Sequence, residues 1–113
     1  MWRRVGRVEE IPPGQTRFYW AGSKPIVVAN RDGRFFALGG ICPHRDNPLD
    51  GAQLWGHLID CPWHHFLYDI RSGENYFPRN VYPEDYPELQ KQLRPLPTYQ
   101  VEVRESEIWV DLE

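Results

Sequence analysis

The feature that most constrains the fold of this chain is its density of backbone-breaking residues, with 11 prolines and 9 glycines among 113 residues. Proline removes a backbone donor and interrupts helices, and glycine marks tight turns. The composition therefore predicts short strands joined by shaped loops. A single hydrophobic core serves chains of about 100–150 residues, so we expect one domain, covering residues 1–113.

Short apolar runs bounded by turn residues predict strands along most of the chain. Asp32-Gly33 separates two such runs and predicts a hairpin, and Gly56 separates another pair. A third pair, Tyr99–Val103 and Ile108–Val110, alternates apolar with polar residues and is predicted to pair across Arg104–Glu107. The predicted strands are Trp2–Val8, Pro25–Ala29, Arg34–Leu38, Gln53–Trp55, His57–Ile59, Phe66–Ile70, Tyr99–Val103 and Ile108–Val110. Many short strands of this kind are typical of an antiparallel sandwich or barrel, so the predicted fold class is all-β.

Residues 74–97 break the strand pattern, because they hold five prolines and three tyrosines. No strand is predicted there. A short helix is predicted over Pro83–Leu93, since acidic residues lie early in it and Lys91 lies late, which complements the helix dipole. We interpret the segment as an insertion that either covers the second sheet or serves as a docking surface.

Charge and hydropathy exclude two classes of protein. The net charge is −3, which is not the basic balance of a nucleic-acid binder. No apolar run approaches the ~20 residues that a membrane helix needs, so no membrane association is expected. The start of the chain, Met1–Arg7, lacks the apolar region of a signal peptide. We therefore expect a cytoplasmic protein, in which a Cys42–Cys61 disulfide is not expected.

The two cysteines occur in loops between predicted strands, as Cys42-Pro43-His44 and as Cys61-Pro62-Trp63-His64. Each loop supplies one thiolate and one imidazole, so the two loops together could hold one metal centre. A structural zinc site also accepts two Cys and two His, although it usually takes closely spaced pairs of one type. The alternation of ligand types instead suits a two-iron cluster in which thiolates bind one iron and imidazoles the other.

These motifs resemble those of the Rieske ferredoxin family, in which a C-x-H motif is followed at a distance by C-x-x-H. The resemblance covers nearly the whole chain. It implies a Rieske-like antiparallel β-sandwich or barrel with a two-loop cluster-binding subdomain, its loops at 41–49 and 60–69. It also implies one [2Fe–2S] cluster, with Cys42 and Cys61 on the inner iron and His44 and His64 on the outer iron.

The resemblance extends to residues around the expected ligands. Arg45 matches a common continuation of the first loop, and Pro62 and Trp63 belong to the second, where Trp63 is expected to shield the cluster from water. Asp46 and His65 stand where the family often has glycine, so the loop backbone is expected to differ there. The spacing favours His64 over His65 as the ligand.

Tyr68 is expected either to tune the cluster by donating a hydrogen bond to the Cys42 sulfur or simply to pack in the core. The chain lacks the additional cysteine pair of the high-potential respiratory members, and Phe66 occupies the position of their serine. We therefore expect a low-to-intermediate reduction potential. Trp55 is expected to fill the core, the alternative being that it shields the cluster together with Trp63. His57 is expected to lie on the surface of a strand.

Three functions are compatible with these features. The first is a soluble one-electron carrier between a reductase and an oxygenase or similar acceptor, acting as an electron-transfer component rather than a stand-alone catalyst. The second is a small subunit of a larger oxidoreductase, similar to those of nitrite reductases. The third is a zinc-stabilised interaction module that binds a partner through residues 74–97.

Overall fold

The structure, a computed structural model, describes residues 1–42, 47–62, 65–77 and 94–112. Its elements in chain order are β1 (Trp2–Arg7), a 3-10 turn (Val8–Glu10), β2 (Thr16–Ala21), β3 (Lys24–Arg31), β4 (Arg34–Gly39), β5 (Ile41–Cys42), β6 (Asn47–Pro48), β7 (Gln53–Trp55), β8 (Leu58–Asp60), β9 (Leu67–Asp69), β10 (Asn75–Phe77), β11 (Thr98–Arg104) and β12 (Glu107–Asp111). All strand pairs are antiparallel, which confirms the all-β prediction. No helix in the described ranges has the length and apolar content needed to cross a membrane.

Six strands form a nearly closed barrel in the order β1-β12-β11-β4-β3-β2. The two terminal strands of this order, β1 and β2, approach each other, and Gly6 on β1 lies against the Tyr19 hydroxyl of β2. A side chain at Gly6 would overlap that hydroxyl, so glycine permits the close approach of the two strands. The barrel core contains Ile26, Val28, Ile108 and Val110, each fully buried.

Strand β3 separates this barrel core from a second hydrophobic core. Alternate residues of a strand point to opposite faces. Ile26 and Val28 belong to the barrel core, whereas Val27 and Ala29 belong to the second core. An uninterrupted apolar run of this kind is expected where both faces of a strand are buried.

The second core lies between the barrel and a small subdomain. This subdomain consists of a four-stranded sheet, in the order β10-β9-β8-β7, and the two-stranded β5-β6 ribbon. Thr16 of β2 donates a hydrogen bond to the Ala52 carbonyl at 2.6 Å and so joins the barrel to the subdomain. The two cysteines belong to this second core, which gives the subdomain its importance for the site.

The hairpins predicted from turn residues are confirmed. Asp32 and Gly33 both have positive φ, at 53° and 89°, as the turn between β3 and β4 requires. Glu105 and Ser106 form the turn between β11 and β12 with φ of 51° and 66°. Turn residues act over only a few positions, so they could be identified from sequence alone.

The structure corrects the strand prediction at three places, and the predicted helix concerns residues that the structure does not describe. Strand β2 was not predicted, although Phe18-Tyr19-Trp20 is an aromatic run before a glycine turn. The prediction of no strand within residues 74–97 was wrong, because β10 pairs with β9. His57 lies in the β7–β8 turn instead of a strand. The helix predicted over Pro83–Leu93 lies outside the described residues.

Candidate metal centre

Each cysteine lies where a strand ends and a four-residue loop begins. Cys42 is the last residue of β5 and pairs across the ribbon with Asn47, so residues 43–46 form the connection. Cys61 follows β8, and its backbone N–H donates to the Phe66 carbonyl at 2.9 Å. Phe66 is thereby held beside Cys61. Each cysteine thus stands at the start of a short segment whose far end returns to it, at Asn47 and at Phe66.

Both thiols are buried and close to the same side chain. Cys42 and Cys61 are each 1% exposed, and neither takes part in a disulfide. They belong to one core with Tyr68, which is fully buried. Two buried thiols that share one core and form no disulfide provide soft ligands in an apolar environment, which suits an iron–sulfur cluster on its thiolate side.

Tyr68 lies against the Cys42 sulfur, with its hydroxyl oxygen 3.8 Å away. Burial, followed by the nearby Cys42 and Cys61 sulfurs, raises the pKa of Tyr68 well above its ordinary value. The hydroxyl therefore keeps its proton and can donate a hydrogen bond to a thiolate. The predicted contact between Tyr68 and Cys42 is present. The same side chain also fills the core, so packing and hydrogen bonding are not alternatives here.

Asn75 is a second polar residue at this position that the sequence did not indicate. It is 4% exposed and lies opposite Tyr68 in the β9–β10 ladder, and its nearby amide acts to lower the pKa of Tyr68, against the larger effects of burial and the sulfurs. Its signal in the sequence is weak, because it lies in the proline-rich stretch where no strand was predicted. Only the pairing of β10 with β9 brings it to Tyr68.

A polar network extends along the outside of the second loop. His65 Nδ1 lies 3.1 Å from one oxygen of Asp60, and the Trp55 indole N–H donates to the other at 3.0 Å. Trp55 is 57% exposed, so the expectation that it fills the core was wrong. His65 has a φ of 57°, a conformation that favours glycine. A left-handed backbone suits the glycine that the family often has at this position, so it counts against the expectation that the loop backbone differs at His65.

Four of the predicted site residues, His44, Arg45, Trp63 and His64, lie outside the described residues. Pro62 is described and is exposed at the start of the second loop. Among the described residues, no group of three or more metal-ligating side chains is present. Of the four predicted ligands, the structure describes Cys42 and Cys61. Their two buried thiols fit the ligand requirement of the iron that is bound by thiolates.

Comparison with known proteins identifies the family. The family model of the Rieske [2Fe-2S] domain matches residues 1–100. The chain belongs to the Rieske [2Fe–2S] domain family. The cofactor of this family is one Rieske-type [2Fe–2S] cluster, in which two histidines replace two cysteines on one iron. Membership thus agrees with the two Cys–His motifs.

Individual relatives of this Rieske chain cover nearly its whole length. It is 29% identical over 105 residues to the ferredoxin component of biphenyl 2,3-dioxygenase from Rhodococcus jostii, covering 92% of this chain and 86% of the relative. It is 29% identical over 106 residues to apoptosis-inducing factor 3 from Homo sapiens, covering 94% of this chain. The chain spans only 16% of the length of that protein.

A solved complex contains a chain of the same fold. It is the complex of reduced oxygenase and oxidized ferredoxin in carbazole 1,9a-dioxygenase. The matched chain has a TM-score of 0.75 and 26% identity, and the match covers 99% of this chain and 97% of that chain. The match with this solved chain therefore spans nearly the whole length of the sequence.

Proposed function

We propose that this Rieske chain is a one-electron carrier of the cytoplasm. It takes electrons from a reductase and delivers them to an oxygenase or a similar acceptor protein. The ferredoxin component of a dioxygenase and the ferredoxin–oxygenase complex support this role. The carrier would act as one component of an oxidoreductase system.

The observation that carries the proposal is the pair of buried thiols beneath two Cys–His loops. Cys42 and Cys61 would bind one iron of the cluster, and His44 and His64 the other. The bound cluster would accept and release a single electron. The protein contributes an apolar environment for the sulfurs, with Leu49 and Ile59 fully buried in the same core. Such burial limits the solvent reorganisation that accompanies a change in charge.

The absence of charge on the imidazoles favours a higher potential than that of a cluster held by four thiolates. Tyr68 adds to this effect, since a hydrogen bond to a thiolate sulfur stabilises the more electron-rich state. Phe66, which is half-buried against the second core, cannot add the hydroxyl of the respiratory members. We therefore propose a low-to-intermediate potential, below that of the respiratory members, which Tyr68 raises in part.

Adjacent histidines permit a sharp test of the ligand set. We expect that protein purified anaerobically contains two irons and two acid-labile sulfides per chain. His64→Gln should lose the cluster and its visible spectrum, whereas the matched control His65→Gln should keep both. Cluster loss in the His65 variant only would contradict the ligand assignment. A colourless protein with one zinc ion would instead support the interaction-module alternative.

The carrier role is tested separately from the cluster. The loaded protein should accept one electron from a flavin-dependent reductase and pass it to a Rieske-type oxygenase, as followed by stopped-flow absorbance. The His65→Gln protein serves as the cluster-containing control. A loaded cluster that is reduced chemically but exchanges electrons with no oxygenase tested would count against this role and leave the cluster assignment intact.

A further inference from the structure

A cationic cleft lies away from the cysteine loops. Among the described residues it is lined by Arg31, Asp32, Arg34, Phe36, His57 and Arg71, and its volume is about 680 Å³. His57 lies in the β7–β8 turn, whereas Cys61 follows the other end of β8. The cleft and the cysteine loops are therefore at opposite ends of this hairpin, and the cluster gives no reason for the cleft's charge.

Arg34 is the cation of the cleft with the fewest partners. Its guanidinium lies 5.4 Å over the ring of Phe36, and no carboxylate of the described part of the chain pairs with it. Stacking on an aromatic face leaves the N–H groups at the guanidinium edge able to bind an anion. Arg34 is thus held in place by an uncharged neighbour, while its charge remains to be neutralised.

The two other arginines are held near Arg34 by acids on their own strands or turns. The Arg71 guanidinium donates two hydrogen bonds to the Asp69 carboxylate, at 2.8 and 3.0 Å, which fix the plane of the guanidinium. Arg31 pairs with Asp32 at 3.1 Å, but the Asp32 side chain is 81% exposed. The buried Nε of Arg31 has no acceptor among the described residues. A ligand that supplied an acceptor would remove the cost of this buried donor.

The hairpin that carries two of these arginines is rigidly held. The buried Asn30 side chain accepts a hydrogen bond from the Gly33 N–H and donates one to the Ile11 carbonyl, both at 2.7 Å. The β3–β4 turn is thereby tied to the barrel. A cleft formed in advance loses less conformational entropy on binding than one that must be assembled.

A second cavity adjoins the cleft where two strands separate. β4 and β11 pair only at Thr98↔Leu38 and Tyr99↔Ala37, although both strands continue beyond these pairs. Between the diverging strands is a cavity of about 630 Å³, lined by residues 33–37 and 98–103. The facing strand edges have no ladder partner among the described residues. Such edges can accept an added strand.

The cavity and the cleft form one groove, because both are lined by Arg34, Phe36 and Arg71. We propose that this β4–β11 groove, defined by Arg31, Arg34, Phe36, Arg71, Tyr99 and Val101, binds an extended acidic segment of a partner protein. The strand edges would pair with the backbone of the segment, and the arginines with its carboxylates. A free phosphate ion would satisfy the arginines but has no backbone for the strand edges.

The test uses a short fluorescein-labelled peptide of alternating glutamate and valine, titrated against the cluster-loaded protein and followed by anisotropy. Arg34→Glu should weaken binding about tenfold or more, since it replaces attraction by repulsion at the centre of the groove. Arg17→Glu is the matched control, because Arg17 stacks on Tyr19 at 5.8 Å in the same manner and does not line the groove. Equal weakening by both variants would overturn the site.

The strand-addition component is tested by N-methylation of alternate residues in the same peptide, which removes backbone donors and keeps every charge. Binding should weaken at least fivefold. Unchanged binding, together with displacement by inorganic pyrophosphate, would overturn the proposal in favour of a simple anion site. Concentration-dependent self-association that Arg34→Glu abolishes would overturn it in favour of a second copy of this chain. The visible spectrum should stay unchanged throughout, so failure here would leave the carrier role unaffected.

Discussion

Tyr68 shows how one residue can serve both packing and redox chemistry. It is fully buried in the second core, and its hydroxyl is 3.8 Å from the sulfur of Cys42. Its hydroxyl proton is retained because burial and the neighbouring sulfurs raise the pKa of Tyr68 above its usual range. A phenylalanine at this position would preserve the ring and remove only the donor.

We therefore expect Tyr68→Phe to lower the reduction potential by about 40–60 mV. This corresponds to one hydrogen bond of about 1–1.4 kcal/mol that favours the reduced cluster in a one-electron couple. Potentials would be measured by redox titration monitored by circular dichroism. Tyr19→Phe is the control, since that hydroxyl is hydrogen-bonded to Glu10 at 3.1 Å. An equal change in both variants, or no change in Tyr68→Phe, would contradict the role of the hydroxyl.

His65 combines a favourable contact with an unfavourable backbone conformation. Its φ of 57° is left-handed, while its ring meets Asp60 at 3.1 Å. Alanine and glycine both remove the ring, but only glycine adopts this φ without a steric cost of about 1 kcal/mol. We expect His65→Gly to melt about 4 °C above His65→Ala, as measured by loss of the visible spectrum on heating. Equal melting temperatures would mean that the loop relaxes instead of storing strain.

At the scale of elements, Gly73 joins the small subdomain to the approach of β11. It has a φ of 79°, its N–H donates to the Asp69 carbonyl, and its own carbonyl accepts from Leu96, both at 2.7 Å. A Cβ at this position would overlap the Leu96 carbonyl oxygen. Leu96 itself is 2% exposed and packs in the second core. Glycine is thus required at Gly73 by both conformation and space.

We expect Gly73→Ala to lower the free energy of unfolding by more than about 2 kcal/mol, because steric overlap adds to the cost of a positive φ. The matched control is Gly51→Ala, where φ is 84° and no atom lies within 4 Å of a Cβ. That variant should lose only about 1 kcal/mol. Denaturant unfolding of the two proteins compares them directly, and equal losses would show that the contact with Leu96 yields easily.

The success of strand prediction also depended on the element. The β3–β4 and β11–β12 hairpins were identified because their turn residues and apolar alternation are local. β2 escaped prediction because its buried positions follow no clear alternation, with Trp20 64% exposed. β10 escaped because its three residues form a strand only by pairing with β9. Elements that depend on a distant partner carry little local signal.

At the scale of the whole molecule, the chain has two cores with different relations to the cluster. The barrel core includes Val28 and Val110, and the second core includes Cys42, Cys61 and Ile59. The β3–β4 sheet lies between them and contributes residues to both. The cluster would therefore stabilise the small subdomain directly and the barrel only through this shared sheet.

We expect removal of the cluster to loosen the second core and leave the barrel folded. Metal binding contributes its free energy to the part of the fold that supplies the ligands. In hydrogen–deuterium exchange followed by mass spectrometry, peptides covering 58–70 should exchange at least tenfold faster in the apo protein than in the loaded one. Peptides covering β1 and β12, whose core residues belong only to the barrel core, should change little. Uniform acceleration along the chain would show that the two cores unfold as one unit.

The sequence by itself determined where the metal-binding motifs lie, which residues form the hairpin turns and that the fold is all-β. These features are local, because turn conformations and motif spacing involve only neighbouring residues. Tertiary structure alone decided that Asn75 lies opposite Tyr68 in the β9–β10 ladder and that Trp55 lies on the surface. It also decided that β4 and β11 separate after two pairs. Such contacts depend on how strands far apart in the chain pack together, which local preferences do not specify.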